Sequence, residues 1–333
     1  VDNLNSELLD IFTESKLFVF PKAKGIVTPD QFRPISVTNS DYRIIMKYFS
    51  GYLKVMLNKI ISGNQRALLP ERYIDECIHN ISDSFYEHCE KDEDFYMLQT
   101  DFFKAFDFLS REAILFLITK LLFPDWMINV IKVCLYENKV SLFFNGRQFD
   151  AFRSIIGVRQ GCPISGLIYI LIFDLLLRSL GMITNIRTLQ AYMDDIGMII
   201  KGINTLDEII EAITRYGRST GAKLNFKKCS IVSCNRMEPI PSRFEDFQVL
   251  SHSVYLGITI GRGFDWTIQF KNPISKLHSA VERIKKFKTV FSEKCKLINI
   301  YVSSLFSYIF RFIIPPPELC SFYYATINTI FKS

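Results

Sequence analysis

The stretch "AYMDDIG" at residues 191–197 sets two adjacent aspartates between apolar runs. Neighbouring carboxylates repel each other, so a strand-like segment that carries them calls for an explanation. One reading is a hairpin turn, where aspartate is common. The other is a pair of metal ligands. These seven residues do not decide between the two readings, and partner residues elsewhere in the chain are needed.

A third aspartate ends another apolar run. In "LQTDFFKAFDFLS" (98–110), Asp101 follows a strand-like segment, where a carboxylate close to the core needs a partner or a metal. Alone, Asp101 is more simply a capping or turn residue. A Gly-rich segment, "GVRQGCPISG" (157–166), separates the two acidic runs and leads into an apolar stretch. Together they favour three oxygen ligands for Mg²⁺, which can support phosphoryl transfer as a pair of ions.

The composition is that of a folded protein with more than one lobe. The chain has 333 residues, 49% of them hydrophobic and 22% charged. A single core rarely grows this large, so two or three lobes are expected. The longest apolar stretch, residues 163–183, is interrupted by Asp174 and Arg178. It therefore predicts a buried helix and no membrane span.

The cysteines and the chain start bear on the cellular setting. Eight cysteines include no CxxC pair, and no histidine cluster lies near Cys229 and Cys234, the closest two. A structural zinc site would need such spacing, so reduced thiols in an intracellular protein are the favoured interpretation. The chain opens on Val1 with neither methionine nor a signal-peptide pattern. We therefore expect a piece of a longer polypeptide that carries no targeting information.

Positive charge is concentrated at the C-terminal end. Residues 271–333 hold ten Lys and Arg against three Glu, a net charge of +7, so the preceding 270 residues sum to −1. A neutral body with a basic end suggests a polyanion that is held at one end of the molecule. A solvated helix face explains the same charges equally well.

Periodicity and turn residues predict the order of the elements. A short helix is expected to run into a strand within 5–22. Other helices are predicted over 40–62, 72–90, 164–180 and 205–219, and from Ser110 and about residue 273 onward. Strands are predicted at 94–102, 229–233 and 253–260, with hairpins within 139–157, at Asn145-Gly146, and within 187–202, at the aspartate pair. Because βαβ regularity is missing, the predicted fold class is α+β.

Seven short segments follow one another in a recognisable order. They are "FRPISV" (32–37), "NQRALLPERYIDECI" (64–78), "DFFKAFD" (101–107), "GVRQGCPIS" (157–165), "AYMDD" (191–195), "STGAKLNFKKCS" (219–230) and "YLG" (255–257). In order and spacing they resemble a reverse transcriptase, most closely the non-LTR (LINE-type) retrotransposon branch, with group II intron enzymes as near relatives. One short match is weak, whereas seven in order are strong.

The resemblance implies a right-hand polymerase architecture of fingers, palm and thumb. The palm would hold an antiparallel sheet, and the thumb would be helical. The implied domains are an N-terminal extension with fingers at 1–93, a palm at 94–262 with part of the fingers at 108–156, and a thumb at 263–333.

The resemblance also implies the catalytic set. Asp101, Asp194 and Asp195 fall on the family's catalytic carboxylates, with Asp101 and Asp194 binding metal directly and Asp195 contributing mainly charge. The backbone carbonyl of Phe102 would complete one oxygen shell. The implied cofactor is Mg²⁺, as two ions, with Mn²⁺ as a substitute. Lys228 matches a lysine that could protonate the departing pyrophosphate, and the adjacent Lys227 is the alternative register.

Five positions would contact the incoming nucleotide. Arg33 falls where a guanidinium lies over the triphosphate, and Lys22 is a further candidate that could equally be solvated. Phe106 falls at a steric gate against the ribose 2′-OH, with a core aromatic as the alternative. Gln160 would lie beside nucleotide and template, unless it is a turn residue. Gly161, without a Cβ, would permit the close backbone approach that a base pair needs.

Two groups would contact nucleic acid. Tyr255, Leu256 and Gly257 would lie near the primer 3′ end. In the implied thumb, an apolar stripe of Leu277, Val281, Ile284, Phe287 and Phe291 predicts a helix packed on a core. Lys276, Arg283 and Lys286 lie off that stripe and would contact duplex phosphates without reading sequence.

The implied activity is RNA-directed DNA polymerisation. Its partners would be an RNA template, a DNA or RNA primer and dNTPs, with no membrane and no particular oligomeric state implied. Two alternatives are an RNA-binding scaffold that has lost catalysis and an intron maturase that is also a reverse transcriptase. The expected location is the nucleus, the cytoplasm or both, within a ribonucleoprotein.

Overall fold

Helices and strands follow one another irregularly along the chain. The computed structural model describes residues 6–21, 25, 28, 31–91, 93–235, 241–263 and 267–331. The strands are β1 (Ser15–Pro21), β2 (Phe32–Thr38), β3 (Phe95–Thr100), β4 (Lys139–Phe144), β5 (Arg147–Arg153), β6 (Ile186–Tyr192), β7 (Asp195–Lys201), β8 (Ser230–Ser233), β9 (Gln248–Leu250), β10 (His252–Tyr255) and β11 (Ile258–Gly261). The helices are α1 (Ser6–Thr13), α2 (Ser40–Ile60), α3 (Ile74–Glu90), α4 (Arg111–Lys120), α5 (Asp125–Tyr136), α6 (Ser165–Gly181), α7 (Thr205–Thr220), α8 (Thr267–Lys285), α9 (Phe291–Ile298), α10 (Ser304–Ser307) and α11 (Pro317–Asn328).

A five-stranded sheet holds the acidic segments at one end. Its strand order is β6-β7-β3-β8-β9, antiparallel except for the edge strand β9, which runs parallel to β8. The central strands β3 and β7 are buried along most of their length, which explains their nearly continuous apolar sequences. Thr100 pairs with Ile196. This register brings Asp101, just after β3, beside Asp195, at the start of β7.

One face of this sheet is covered by helices. Helices α2, α4, α5, α6 and α7 share one continuous apolar core with it. Helix α6 is apolar on nearly all sides and buried, as the sequence predicts. Its Asp174, 3% exposed, accepts hydrogen bonds from the Ser62 amide (3.0 Å) and hydroxyl (2.6 Å) and pairs with Arg178 at 2.7 Å. Both oxygens of the buried carboxylate therefore have hydrogen-bond partners.

The opposite face packs against α3 and the β10–β11 hairpin. Tyr255, at the end of β10, is 2% exposed, and its hydroxyl donates to the Gln190 carbonyl at 3.2 Å. Its ring lies directly on Gly197 of β7, where an added Cβ would come within 2.8 Å of a ring carbon. The glycine two residues after the aspartate pair is thus explained by an aromatic ring packed on β7.

A second sheet stands beside the first, in the order β2-β1-β4-β5. Strand β1 is antiparallel to β2 and parallel to β4, and β4 returns as β5 through Asn145 and Gly146, as predicted. Helix α4 is tied to the segment after β5 by Arg111, which is 2% exposed and donates to the Ser154, Ile156 and Gly157 carbonyls. The predicted Ser110 cap is confirmed, since its side chain accepts from the Ala113 amide.

The C-terminal part is a helical unit with its own core. Helices α8 to α11 surround residues that include Phe270, Leu277 and Phe306. The predicted apolar stripe was right for Leu277, Val281 and Ile284, which are buried. It was wrong for Phe287 and Phe291, which are 53% and 69% exposed. Helix α8 ends at Lys285, so the helical period no longer aligns these two rings with the stripe.

Other predictions have mixed outcomes. The predicted strand over 253–260 is a hairpin of two strands, β10 and β11, broken at Leu256 and Gly257. The helix predicted from about residue 273 begins at Thr267, with Pro273 inside it. All eight cysteines are free thiols. Among the described helices, none is long and apolar enough to cross a bilayer. The domain boundaries at 93/94 and 262/263 stay predictions.

The contrast between Leu277 and Phe287 can be measured. Leu277→Ala should lower the free energy of unfolding by about 2–5 kcal/mol, because it leaves a cavity in the helical core. Phe287→Ala removes a larger but exposed side chain and should cost no more than about 0.5 kcal/mol. Urea unfolding followed by circular dichroism compares the two. Equal losses would contradict this placement of the core.

Candidate functional site

The turn between β6 and β7 presents its carboxylates to two adjoining cavities. Tyr192 pairs with Asp195 across the turn, and Met193 has a left-handed φ of 60°. Asp194 and Asp101 line a cavity of about 520 Å³. Asp195 and Asp101 line a second of about 450 Å³. The hairpin reading and the ligand reading of the pair are therefore compatible, because the turn directs consecutive carboxylates into different cavities that share Asp101.

Asp101 is held from the segment that precedes β8. The Asn225 amide nitrogen Nδ2 donates to Asp101 Oδ2 at 2.9 Å, and the Asn225 backbone N–H donates to the Asp101 carbonyl at 2.8 Å. Lys228 Nζ lies 3.7 Å from the same Oδ2. Lys228 lines both cavities, whereas Lys227 lines neither. The structure thus selects Lys228 over Lys227 as the lysine that faces the carboxylates.

The larger cavity gathers most of the predicted nucleotide contacts. The predicted residues that line it are Arg33, Asp101, Phe102, Phe106, Gln160, Asp194 and Lys228. Arg33 extends from β2 and is exposed, so its guanidinium is free to meet an anion. With Lys104 and Asp107, which also line the cavity, three cations and three carboxylates face one open space, as a site for a triphosphate with its metal would require.

The carboxyl groups destabilise one another's charged forms. Burial, followed by the charges of Asp194 and Asp101, raises the pKa of Asp195 from its ordinary 3.8 to about 6, although part of its side chain stays exposed. Burial and the charge of Asp101 likewise raise the pKa of Asp194. Lys228 opposes both shifts only in part. A site with unbalanced negative charge suits a divalent cation.

The donor set suits Mg²⁺ without forming a closed ligand shell. Within the described ranges, no three His, Cys, Asp or Glu side chains are arranged to hold a metal ion by themselves. Mg²⁺ is commonly held by one or two carboxylates together with waters and substrate phosphates. Asp101 and Asp194, hard oxygen donors on one open cavity, fit that mode. The full three-carboxylate set with the Phe102 carbonyl stays a prediction.

Two phenylalanines of the first palm segment have different surroundings. Phe102 is 4% exposed, and its ring meets Phe173 edge-on at 5.3 Å. Phe106 is half-buried, lines the larger cavity and stacks on Tyr169 with ring centroids 4.6 Å apart. One face of Phe106 packs on Tyr169, in keeping with the core-aromatic reading. The residue also borders the larger cavity, and its role as a steric gate stays a prediction.

Gln160 and Gly161 connect the cavity to β2. Gln160 Nε2 donates to Asp107 Oδ1 at 2.9 Å, and its carbonyl accepts from the Ser36 amide at 2.7 Å. Gly161 has a φ of +121°, and a Cβ there would lie 2.3 Å from the Ser36 carbonyl oxygen. The structure shows a further reason for this glycine, because it permits a close approach to the backbone of β2. Its approach to a base pair stays a prediction.

The β10–β11 turn is held by the helical unit. Tyr308 Oη donates to the Leu256 carbonyl at 2.6 Å. Gln269 Nε2 donates to the Gly257 carbonyl at 2.9 Å. Leu256 and Gly257 line the smaller cavity beside Asp195, so their predicted place near a primer end remains open to test. Tyr255 lines the same cavity, although its ring is largely buried against β7, and its place near a primer end likewise stays a prediction.

The remaining predicted contacts are exposed or undescribed. Lys276, Arg283 and Lys286 are exposed and lie off the buried stripe of α8, as predicted, and their contact with phosphates stays a prediction. Lys22 lies outside the described residues. Part of the basic charge is used internally, since Arg311 pairs with Asp75 of α3 and Lys285 with Glu282.

Sequence reasoning missed several polar residues that hold the site together. They are Gln65, Asn225, Gln269 and Tyr308. Gln65 and Asn225 lie inside segments that the motif comparison had singled out, so their amides could have been weighed as partners for the acidic turns. Gln269 and Tyr308 lie in segments with no motif, and only the packing of the chain reveals them.

The fold and the acidic cavity agree with the polymerase architecture that the motifs predict, and comparison with known families identifies the class. The chain belongs to the family described as reverse transcriptase (RNA-dependent DNA polymerase), whose model matches residues 20–260. The retrotransposon branch predicted from the motifs is confirmed by the relatives that follow. The relation to group II intron enzymes stays a prediction.

Two curated relatives belong to mobile elements. The chain is 25% identical over 254 residues to the "Transposon TX1 uncharacterized 149 kDa protein" of Xenopus laevis, covering 73% of the chain and 19% of that protein. It is 28% identical over 223 residues to the Pol polyprotein of the type-2 retrotransposable element R2DM of Drosophila melanogaster, covering 64% and 20%. The chain thus spans about a fifth of these relatives.

Solved structures confirm the right-hand polymerase fold. A telomerase from Candida albicans, in complex with the TWJ fragment of telomeric RNA, matches 98% of the chain and 61% of its own with a TM-score of 0.59 and 12% identity. Apo telomerase from Candida tropicalis, truncated from its C-terminal domain, matches 75% and 53% with a TM-score of 0.56 and 16% identity. At these identities the likeness concerns the fold alone.

The raised pKa of Asp195 makes stability depend on pH. The unfolded carboxyl ionises near 3.8 and the folded one near 6, so metal-free stability should fall as pH rises from about 4 to 6 and then level off. Asp195→Asn removes this loss. Its melting temperature in EDTA should exceed that of the wild type at pH 8 and match it near pH 4. The same difference at both pH values would contradict the assignment.

Proposed function

We propose that the chain catalyses RNA-templated DNA synthesis, in which a primer 3′-OH attacks the α-phosphate of a dNTP and pyrophosphate leaves. The observation that carries this proposal is the cavity shared by Asp101 and Asp194, with Arg33, Phe106 and Lys228 around it. Membership of the reverse transcriptase family supports it. The chain is proposed as the polymerase core of a longer retrotransposon protein, since the matched segments make up only about a fifth of the relatives.

The carboxylates account for the proposed cofactor. Asp101, Asp194, Asp195 and the Phe102 carbonyl would hold two Mg²⁺ ions, with Mn²⁺ as a substitute, and the bound ions would stabilise charge on the attacking and leaving oxygens. Asn225 fixes one Asp101 oxygen and so orients the carboxylate before any ligand arrives. Burial and, after it, repulsion from neighbouring carboxylates raise the pKa of Asp194 and Asp195, and bound cations would relieve that repulsion.

The other cavity residues act on the nucleotide. Arg33 would hold the triphosphate oxygens through its planar guanidinium. Lys228, whose ammonium lies beside Asp101, would carry the proton that the departing pyrophosphate takes up. Phe106 would exclude the ribose 2′-OH by volume, with Tyr169 behind it preventing the ring from retreating. Gln160, oriented by Asp107, would lie beside the templating pair.

RNA is the proposed template, and DNA or RNA the proposed primer. The protein of similar fold from Candida albicans is in complex with an RNA fragment, and the relatives are transposon proteins. Exposed Lys276 and Arg283 on α8, with Lys286 just after its end, would supply positive charge for duplex phosphates without base contacts. A nuclear or cytoplasmic ribonucleoprotein remains the proposed location.

Primer extension on poly(rA)/oligo(dT) with Mg²⁺ tests the activity. Asp194→Asn should lower the incorporation rate by several orders of magnitude, because each ~1.4 kcal/mol of lost metal stabilisation is tenfold in rate. Asp246→Asn makes the same change at an exposed position outside both cavities and should leave the rate unchanged. A wild-type protein that binds RNA without extending primers would contradict the proposal and favour a scaffold.

The gate role of Phe106 is tested through sugar selectivity. Phe106→Ala should raise the rNTP-to-dNTP ratio of kcat/KM, because the space for a 2′-OH opens while Tyr169 stays in place. Phe103→Ala removes another ring from the same cavity and serves as the matched control. The ratio should rise only for Phe106→Ala. An equal ratio in both variants and the wild type would remove the gate role.

A further inference from the structure

Gln65 has surroundings that its place in a loop does not explain. Its side chain is fully buried, at 0% exposure, in the segment between α2 and α3. Its Nε2 donates to the Met193 carbonyl at 3.0 Å, and its Oε1 accepts from the Met193 amide at 3.0 Å. Oε1 also accepts from the Ala67 amide at 3.1 Å. One side-chain amide thus satisfies both backbone groups of the residue that precedes Asp194.

Met193 needs such a partner. It is a non-glycine residue in the left-handed region, with φ of 60°, a conformation that costs free energy unless its surroundings hold it. The β6–β7 ladder ends at the Tyr192–Asp195 pair, so the sheet supplies no partner for the Met193 backbone. Without Gln65, the turn would lose the two hydrogen bonds that define its direction.

The segment that carries Gln65 is itself fixed to the turn strand. The Ala191 amide donates to the Asn64 carbonyl, and the Arg66 amide donates to the Ala191 carbonyl, both at 2.8 Å. These two bonds place the loop alongside β6 as a short parallel bridge. The Gln65 side chain therefore reaches Met193 from a backbone that cannot slide along the strand.

Arg72 anchors the loop that carries Gln65 to the rest of the fold. Arg72 donates to the Ser62 carbonyl at 2.6 Å and to the Gln65 carbonyl at 2.7 Å, and it also reaches carbonyls at the end of α2. The Ser62 amide donates to Asp174 of α6. The loop is thus bonded to two core helices before it touches the turn, which makes it a rigid support.

From this geometry we infer that Gln65 is a positioning residue for catalysis, which holds the Met193–Asp194 turn so that the Asp194 carboxylate faces the nucleotide cavity. It does not touch substrate, and it acts through the Met193 backbone. The inference rests on the proposed polymerase function. A misplacement of about 1 Å in a catalytic group can cost about 100-fold in rate, so the loss of this clamp should be visible in turnover.

Two variants test the clamp through the single-turnover rate of dNTP incorporation. Gln65→Leu removes all three hydrogen bonds and should lower the rate about 100-fold while changing the KM for dNTP by less than about threefold. Asn138→Leu is the matched control, since Asn138 is equally buried and its amide bonds only the Leu135 carbonyl near α5. An equal rate loss in the control would overturn the inference.

Gln65→Glu provides a readout that a merely structural role would not give. A protonated carboxyl can both donate to the Met193 carbonyl and accept from its amide, whereas a carboxylate can only accept. Burial favours the protonated form. The variant-to-wild-type rate ratio should therefore rise at least tenfold as pH falls from 8.5 to 6. The nearby charges of Arg66, Glu76 and Asp194 are present in both proteins, so their titration affects both rates. A variant-to-wild-type rate ratio that does not change with pH would overturn the inference.

Hydrogen exchange separates this inference from the proposed function. The Met193 amide should be protected in the wild type and in Asn138→Leu, and should exchange faster in Gln65→Leu. If the wild type makes no DNA, the proposed function fails. If the Met193 amide exchanges at the same rate in Gln65→Leu as in the wild type, the inference that Gln65 holds the turn is overturned. Faster exchange with an undiminished incorporation rate would overturn the positioning role.

Discussion

The site depends on like-charge repulsion that the sheet enforces. Strands β3 and β7 are paired in the centre of the palm sheet, and their register sets Asp101 beside the Asp194–Asp195 turn. Buried neighbouring strands cannot shift by one residue without turning their apolar side chains outward. The carboxylates are thus held together by the hydrophobic packing behind them, and burial together with the charges of Asp194 and Asp101 raises the pKa of Asp195. Arg33, Lys228 and the cavity are arranged around this excess of negative charge.

Much of the fold could be predicted because it depends on local patterns. The Asn145-Gly146 turn, the Ser110 cap, the apolar helix α6 and the acidic hairpin are each specified by a few adjacent residues. The resemblance carried by the order of the motifs also identified several residues that line the cavities. The predicted apolar stripe was wrong at Phe287 because α8 ends at Lys285. The end of this helix depends on how the following segment packs, and periodicity carries no information about that packing.

Other features depend on contacts between distant segments. Gly161 meets Ser36 of β2, and Tyr255 covers Gly197, so neither role can be read from the neighbouring residues. Lys227 and Lys228 are equivalent in sequence, and the short 3₁₀ turn before β8 decides which one faces Asp101. The burial of Gln65 could not be predicted from its neighbours either, because a glutamine in a loop usually points to solvent. Here its side chain is fully buried.

The grip of the helical unit on the β10–β11 turn has a mechanical consequence. Tyr308 and Gln269 bond the two carbonyls of that turn, while Tyr255, the last residue of β10 and the one before the turn, rests on the strand that begins with Asp195. If the helices tilt, they must either break two hydrogen bonds or carry the hairpin with them. A hairpin that moves with the helices shifts the Tyr255 ring against Gly197 of β7, two residues from Asp195. The position of the carboxylates is therefore coupled to the position of the helical unit.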